Sequence, residues 1–447
     1  MARATDDETI VDERVAEDAA APTLLDLSDP HFMAGSRELY AGLRDRCPVA
    51  RVTFRANPDE PYGTPQGPFG RDAFLVTRYQ EANAALLDDR FSVDPQVAMT
   101  AEQFAQMPEM PEEFRPLRRN LLSIDPPDHT RLRKLVQPSF TGRAMDALRP
   151  RIQVLTDELL ADAERAAAER GETAPNRTME LIDAFAYPLP IRVICEMLGI
   201  PREDQDDIRR WSETLLSGGP GRDREKMEEA RLNLGALSDY LRRSFAEKRG
   251  QPADDLISQL VHAEEDGDRL DEDELLAMVF ILLLAGHVTT VNLIASGVFA
   301  LLTHPEQLSR LKTDPSLAAA TVEEVLRYWG PLETTLPRFA KEDVEIGGTV
   351  IPRGQTVLVG LASANHDPAR FADPDAFEIG RPDANRQVAF GKGIHACLGA
   401  PLARVEGQVV FATLFRRFPE LRLAVPAAEI AWRPSFLRGL DKLPLRF

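Results

Sequence analysis

The amino-acid sequence predicts a mainly α-helical protein with small β-sheets, folded as one large domain. Helical periodicity recurs over most of the chain, whereas only short stretches alternate as strands do. No internal repeat or low-complexity linker divides the 447 residues, and a chain of this length can build one deep core. We expect residues 1–22 to form an acidic, disordered tail and residues 23–447 to form the folded domain.

The predicted elements follow from local patterns. Leu39, Leu43 and Cys47 recur at four-residue steps, which indicates a helix over 36–47. A short apolar run at 74–77 predicts a strand that leads into a helix. Asp128 follows a proline pair and is suited to the first turn of another helix. The later predictions are two long amphipathic helices at 145–170 and 224–249, and a β-hairpin at 344–352.

The segment 271–303 differs from these amphipathic helices. It begins with acids suited to a helix N-terminus and is then apolar on all sides from Leu275 to Leu284. An evenly apolar helix is a buried one, and at about 50 Å it would cross a whole domain. Its unbroken apolar stretch, Leu275–Gly286, is too short to span a bilayer.

Composition excludes several classes of protein. The apolar fraction of 43% and the charged fraction of 28% are those of a soluble globular protein. A net charge of −19 argues against nucleic-acid binding and against docking on an anionic membrane. The N-terminus has no apolar signal segment, and the three cysteines are far apart. We therefore expect a cytoplasmic protein without disulfides.

The sequence FGKGIHACLG, from Phe390 to Gly399, surrounds Cys397 with glycines. Cys47 and Cys195 lie on apolar helix faces and are interpreted as structural thiols. Cys397 instead precedes a predicted helix, whose N-terminus would stabilise a thiolate. Such a thiolate is either a nucleophile, with His395 as its base, or a metal ligand. The sequence near Cys397 offers no third group to orient His395, as a nucleophilic site requires.

This stretch resembles the haem-binding signature of the cytochrome P450 family, F-x-x-G-x-H/R-x-C-x-G. Phe390, Gly393, His395, Cys397 and Gly399 are the matching residues. The resemblance covers about 24–447 and implies the family's triangular prism fold. It also implies haem b (iron protoporphyrin IX) as cofactor, with Cys397 as the axial ligand of the iron.

Three further motifs support the resemblance. Glu324 and Arg327 match the family's E-x-x-R, with Arg381 as the third, structural member, although a pair at this spacing is usually a surface ion pair. His129 and Arg133 match a pair that binds a haem propionate, although they could form a solvated basic face. The resemblance adds Arg338 and His395 to the propionate-binding set, for which charge-assisted hydrogen bonds are suitable.

The helix motif AGHVTT spans Ala285–Thr290 and resembles the family's A/G-G-x-D/E-T-T/S. Ala285 and Gly286 are small, so the haem and oxygen can approach the helix. Thr289 matches the catalytic threonine that handles oxygen and helps to deliver protons; the alternative is a satisfied core hydroxyl. Val288 replaces the usual acid, and His287 points about 100° away around the helix. The protons must then come through water or a group of the substrate, or the enzyme must use peroxide in place of O2 and electrons.

The resemblance implies a monooxygenase that inserts one oxygen atom from O2 into a C–H bond, by hydroxylation or epoxidation. The substrate pocket is expected along 94–117, 207–227, 280–289, 332–336 and 434–437. Its Met-rich and Phe-rich first segment favours a bulky lipophilic molecule such as a macrolide, polyketide, terpenoid or sterol.

Electrons are expected from a separate ferredoxin and ferredoxin reductase, and the protein is expected to be a monomer. The candidate docking cations are Arg131, Lys134, Lys392 and Arg404. The alternatives are a peroxide-driven peroxygenase, a non-catalytic haem-binding protein and, more distantly, a cysteine hydrolase.

Overall fold

The computed structural model describes residues 22–25, 32–54, 72–107, 114, 117, 119–216, 224–263, 269–433 and 437–447. The predicted tail therefore lies almost entirely outside the described residues, and the proposed domain boundary stays a prediction. Parts of the predicted pocket walls at 94–117, 207–227 and 434–437 also lie outside them.

Helices make up most of the described chain, which confirms a mainly α fold with small sheets. They are α1 (Phe32–Arg46), α2 (Tyr79–Leu87), α3 (Pro95–Ala98), α4 (Ala101–Phe104), α5 (Asp128–Val136), α6 (Gly142–Ala147), α7 (Arg149–Glu169), α8 (Pro188–Leu198), α9 (Gln205–Leu216), α10 (Arg224–Gly250), α11 (Leu256–Val261), α12 (Glu272–Thr303), α13 (Pro305–Thr313), α14 (Ala318–Trp329), α15 (Leu361–Asn365) and α16 (Ala400–Arg417). The predicted helices at 36–47, 145–170 and 224–249 correspond to α1, to α6 and α7 together, and to α10.

The strands are short and form three sheets. They are β1 (Thr23–Leu25), β2 (Val49–Phe54), β3 (Asp72–Val76), β4 (Phe91–Ser92), β5 (Thr178–Glu180), β6 (Arg338–Ala340), β7 (Val344–Ile346), β8 (Thr349–Ile351), β9 (Thr356–Val359), β10 (Arg422–Leu423) and β11 (Pro444–Arg446). The largest sheet has the order β1-β2-β3-β9-β6-β4, the second has the order β10-β11-β5, and β7 and β8 form the predicted hairpin. Strand β6 pairs antiparallel with both β4 and β9, so Arg338 lies on an interior strand.

Helix α12 forms the centre of the core. Its first turn has a capping box, in which Asp271 accepts a hydrogen bond from the Glu274 amide and Glu274 accepts one from the Asp271 amide. By length and mean hydropathy (2.0) it is the one helix in the described part of the chain that could cross a membrane. The apolar part of this helix is therefore longer than the stretch Leu275–Gly286 identified from the sequence. Because 67% of this apolar window is buried inside the protein, the helix has the pattern of a core helix.

Helices α12 and α16 pack closely against each other. A Cβ atom added at Gly297 would overlap the ring of Phe411, and one added at Gly407 would lie 3.6 Å from Leu293. The two contacts advance together along both helices, from Leu293 to Gly297 and from Gly407 to Phe411. The helices therefore run in the same sense, so that the turn Ala285–Thr289 and the loop before α16 lie toward the same end of the pair.

Candidate functional site

The loop before α16 is held in a conformation that requires glycine. Gly391 and Gly393 have φ angles of 64° and 73°, in the left-handed region. A Cβ atom at Gly393 would also lie 2.8 Å from the carbonyl oxygen of Leu86 on α2. The Cys397 amide donates a hydrogen bond of 2.9 Å to the Phe390 carbonyl and closes the loop. The loop thus presents Cys397 just before the N-terminus of α16.

The Cys397 side chain is accessible and yet deep in the protein. The residue is exposed, whereas desolvation by the surrounding protein raises the pKa of its thiol. Both statements hold if the sulfur lines an internal cleft. Hydrogen bonds from the backbone amides of Gly399 and Ala400, and the nearby Arg133, act in the opposite direction and favour the thiolate. By contrast, burial raises the pKa of Cys195 to about 12, which suits a structural thiol.

Two histidines lie together beside this loop. His129, on α5, is 1% exposed, and neither of its ring nitrogens has a hydrogen-bond partner among the described residues. Its ring centroid is 4.4 Å from that of His395. Nδ1 of His395 donates to the Leu121 carbonyl at 3.2 Å, whereas its buried Nε2 makes no hydrogen bond within the described chain. Burial lowers the pKa of His129 to about 4, with His395 and Arg133 as further causes.

Two arginines complete this polar cluster. Arg133 donates a hydrogen bond of 2.9 Å to the carbonyl of Ala396, the residue before Cys397. Arg338 is 6% exposed, and desolvation lowers the pKa of its guanidinium. Unpartnered polar atoms inside a protein are costly, so this cluster is suited to an anionic group that would satisfy them. The donor set fits the two carboxylates of a haem.

The motif of α12 lies at an opening in an otherwise buried helix. Ala285 is exposed although it lies midway along the helix, and Thr289 is half-buried. The Thr289 hydroxyl donates to the Ala285 carbonyl at 3.0 Å, and the Thr290 hydroxyl donates to the Gly286 carbonyl at 3.2 Å. Side-chain bonds of this kind bend a helix locally. Ala285 and Thr289, four residues apart, therefore lie on the same accessible face of the helix.

The structure shows which groups His287 contacts. Its ring is fully buried, with Nδ1 2.7 Å from the Leu283 carbonyl and Nε2 3.2 Å from the Tyr187 hydroxyl. Neither ring nitrogen is directed at Thr289, so His287 does not replace the missing acid in this conformation. Val288 is half-buried and cannot carry a proton.

Glu324, Arg327 and Arg381 form a buried ionic cluster. Glu324 and Arg327 on α14 have fully buried side chains and two hydrogen bonds of 2.7 and 2.8 Å. Arg381 Nε lies 3.3 Å from Glu324. The two arginines also donate to carbonyls of the segment 372–376, and Glu324 accepts from the amide of Glu378. The cluster thus fixes the irregular chain that precedes the cysteine loop.

Sequence reasoning missed Asp125 and Leu121. The Asp125 carboxylate accepts hydrogen bonds from the Ser92 hydroxyl and the Val93 amide, and lies 3.8 Å from His395 Nε2. Asp125 directly precedes the proline pair, which is a turn signal but no indication of a contact across the fold. In the described chain, no group of three or more His, Cys, Asp or Glu residues could hold a metal ion by itself.

Comparison with known proteins agrees with this geometry. The family model described as "Cytochrome P450" matches residues 93–423. The chain is 42% identical to 6-deoxyerythronolide B hydroxylase of Saccharopolyspora erythraea, over 95% of this chain and 99% of the relative. It is 43% identical to the cytochrome P450 monooxygenase PikC of Streptomyces venezuelae, over 96% and 95%.

The fold matches solved structures equally well. The ligand-free P450 monooxygenase TamI superposes with a TM-score of 0.81 at 40% identity, over 98% of this chain and 97% of TamI. The Bacillus subtilis polyketide-synthase cytochrome P450 PksS superposes with a TM-score of 0.80 at 36% identity, over 93% and 98%. These matches extend over nearly the whole chain. The protein belongs to the cytochrome P450 family and is a bacterial-type cytochrome P450 monooxygenase.

Proposed function

We propose that the protein holds haem b through the Cys397 thiolate and hydroxylates or epoxidises a bulky lipophilic small molecule. The observation that carries this proposal is the combination of an accessible Cys397 thiol, the buried His129 ring without a hydrogen-bond partner among the described residues, and the buried guanidinium of Arg338. When bound, the haem supplies the oxygen activation that a thiolate ligand promotes. The reaction consumes O2, two electrons and two protons, and releases water.

The residues of the chain have separate tasks in this proposal. Arg133, Arg338, His129 and His395 bind and orient the two carboxylates. Gly399 and Ala400 donate their amides to the sulfur and adjust its electron density. Thr289 carries a proton on Oγ1 at the open face of α12. Because Val288 has no proton to give, water or a polar group of the substrate must resupply that hydroxyl.

The proposed substrates are macrolides, polyketides, terpenoids and sterols. Support comes from the apolar side chain of Leu336, 41% exposed close to Arg338 on β6, and from the open face at Ala285. The relatives' names point the same way, since one is a hydroxylase of 6-deoxyerythronolide B. A titration with 6-deoxyerythronolide B, tirandamycin C and myristic acid, followed by the haem absorption shift, tests this. A saturable shift with a macrolactone or polyketide supports the proposal, and a shift with myristic acid alone contradicts it.

We further propose that a ferredoxin and its reductase deliver the electrons to a monomeric, cytoplasmic enzyme. Three of the four cations expected to attract such a donor already have partners within the chain: Arg131 pairs with Glu274, Arg404 with Glu323, and Lys392 lies over the ring of Tyr79. Leu87 and Ile394, beside the cysteine loop, are instead 63% and 50% exposed. Apolar contact is therefore expected to dominate docking.

A peroxide-driven reaction is the second candidate, because Val288 removes the usual proton-delivering acid. Product formation with hydrogen peroxide alone would favour it. Product formation only with NAD(P)H, a ferredoxin and its reductase would favour the monooxygenase cycle.

A further inference from the structure

A buried contact joins the middle of α12 to the start of α8. Tyr187 immediately precedes α8, and His287 lies two residues before Thr289 on α12. Their rings meet edge to face, with centroids 5.5 Å apart at 73°. His287 is fully buried, so this contact lies inside the protein, away from the open face at Ala285.

The hydrogen-bond directions at His287 follow from simple chemistry. A carbonyl oxygen only accepts, so Nδ1, 2.7 Å from the Leu283 carbonyl, carries the ring proton. Nε2 is then an acceptor for the Tyr187 hydroxyl at 3.2 Å. The histidine thus connects a backbone carbonyl of α12 to a side chain outside the helix.

This turn of α12 needs support from outside. Within 283–290, three side chains (His287, Thr289 and Thr290) donate to carbonyls of the preceding turn. Such bonds compete with the backbone ladder and weaken or bend a helix. Gly286 in the same turn further lowers helix propensity. The turn that carries Thr289 is therefore intrinsically weak, and Tyr187 contacts it from the side opposite the cleft.

We propose that Tyr187 and His287 are positioning residues for the oxygen chemistry, and that their hydrogen bond anchors the turn 283–290 so that Thr289 stays at the cleft. This inference rests on the proposed role of Thr289. Arg209 on α9 extends the contact, since its guanidinium lies 4.5 Å from the centroid of the Tyr187 ring. Part of α9 belongs to the predicted pocket wall. A shift of α9 can therefore reach the turn 283–290 through Arg209 and Tyr187.

Amide hydrogen exchange tests the anchor directly. Tyr187→Phe removes only the hydroxyl, and Tyr240→Phe is the matched control because its hydroxyl donates to Asp204 at 2.8 Å, outside α12. We expect about fivefold faster exchange across 283–290 in Tyr187→Phe, the effect of losing one hydrogen bond of ~1 kcal/mol. Tyr240→Phe should leave that segment unchanged. Unchanged exchange in Tyr187→Phe, or an equal rise in helix α1, which packs in a separate hydrophobic cluster, would overturn the anchor.

Reaction coupling tests the functional half. With a surrogate ferredoxin and reductase, Tyr187→Phe should release several-fold more peroxide per NAD(P)H, and His287→Leu should show the same rise. The double variant should release little more peroxide than His287→Leu alone, since both substitutions remove the hydrogen bond between Tyr187 and His287. Faster exchange without extra peroxide would overturn the positioning role. Failure of the wild type to bind haem would contradict the proposed function. The amide hydrogen exchange of 283–290 would still test the anchor.

Discussion

Val288 is the residue at which this protein departs most clearly from its family pattern. An acid at this position could pass protons to the Thr289 hydroxyl, and His287 does not substitute because its ring nitrogens are engaged elsewhere. We expect Val288→Glu to raise the product formed per NAD(P)H consumed. Val288→Gln, of similar size but without an ionisable group, is the control. Equal coupling in wild type and Val288→Glu would show that Val288 does not limit proton delivery.

His129 is buried with two unpartnered nitrogens, so its proposed role is measurable as haem affinity. A hydrogen bond to a charged group contributes about 1.5–3 kcal/mol, so His129→Leu should lose haem about 10-fold to 100-fold faster. Transfer of haem to apomyoglobin measures this rate. His262→Leu, on a histidine directly after α11, should match the wild type. Equal rates of haem loss in the two variants would show that His129 does not bind the haem.

At the scale of elements, the cluster on α14 organises the chain that leads to the cysteine loop. Breaking a buried ion pair leaves an uncompensated charge and costs about 3–5 kcal/mol, whereas an exposed pair contributes less than about 1 kcal/mol. In Arg381→Met, Glu324 keeps its pair with Arg327 but loses the contact with Arg381, and three hydrogen bonds from Arg381 to backbone carbonyls are also lost. The free energy of unfolding should therefore fall by about 3 kcal/mol. Arg231→Met breaks an exposed pair with Glu228 and should change it little. Urea unfolding of both variants measures this difference. A similar decrease in the free energy of unfolding in each would contradict a special role for the cluster.

Prediction from sequence succeeded where a pattern is local. The evenly apolar composition of α12 and the turn residues between β7 and β8 each reveal an element without reference to distant residues. Asp125, Leu121 and Tyr187 could not be found in this way. Their contacts to His395 and His287 join segments 100 or more residues apart. Only the packed fold creates them.

At the scale of the whole molecule, net charge and local pairing decide how an electron donor docks. The protein has a net charge of −19, and two of the four candidate docking cations, Arg131 and Arg404, are paired with Glu274 and Glu323. Docking through Leu87 and Ile394 should thus depend weakly on salt. We expect the rate of reduction by ferredoxin to fall less than about threefold between low and physiological ionic strength. Leu87→Asp should slow reduction by ferredoxin more than the change in ionic strength does. A steep decline of the wild-type rate with salt would instead indicate electrostatic docking.

The exposed Cys397 lies just before α16, toward the end of the α12–α16 pair that carries Thr289. The most direct test of its role is the absorption spectrum of the reduced, haem-loaded protein under carbon monoxide, recorded for wild type and Cys397→Ser. A strongly red-shifted Soret band in the wild type, absent from Cys397→Ser, is the predicted result. A wild-type band at the ordinary position of imidazole-ligated haem, in folded protein, would contradict thiolate ligation by Cys397.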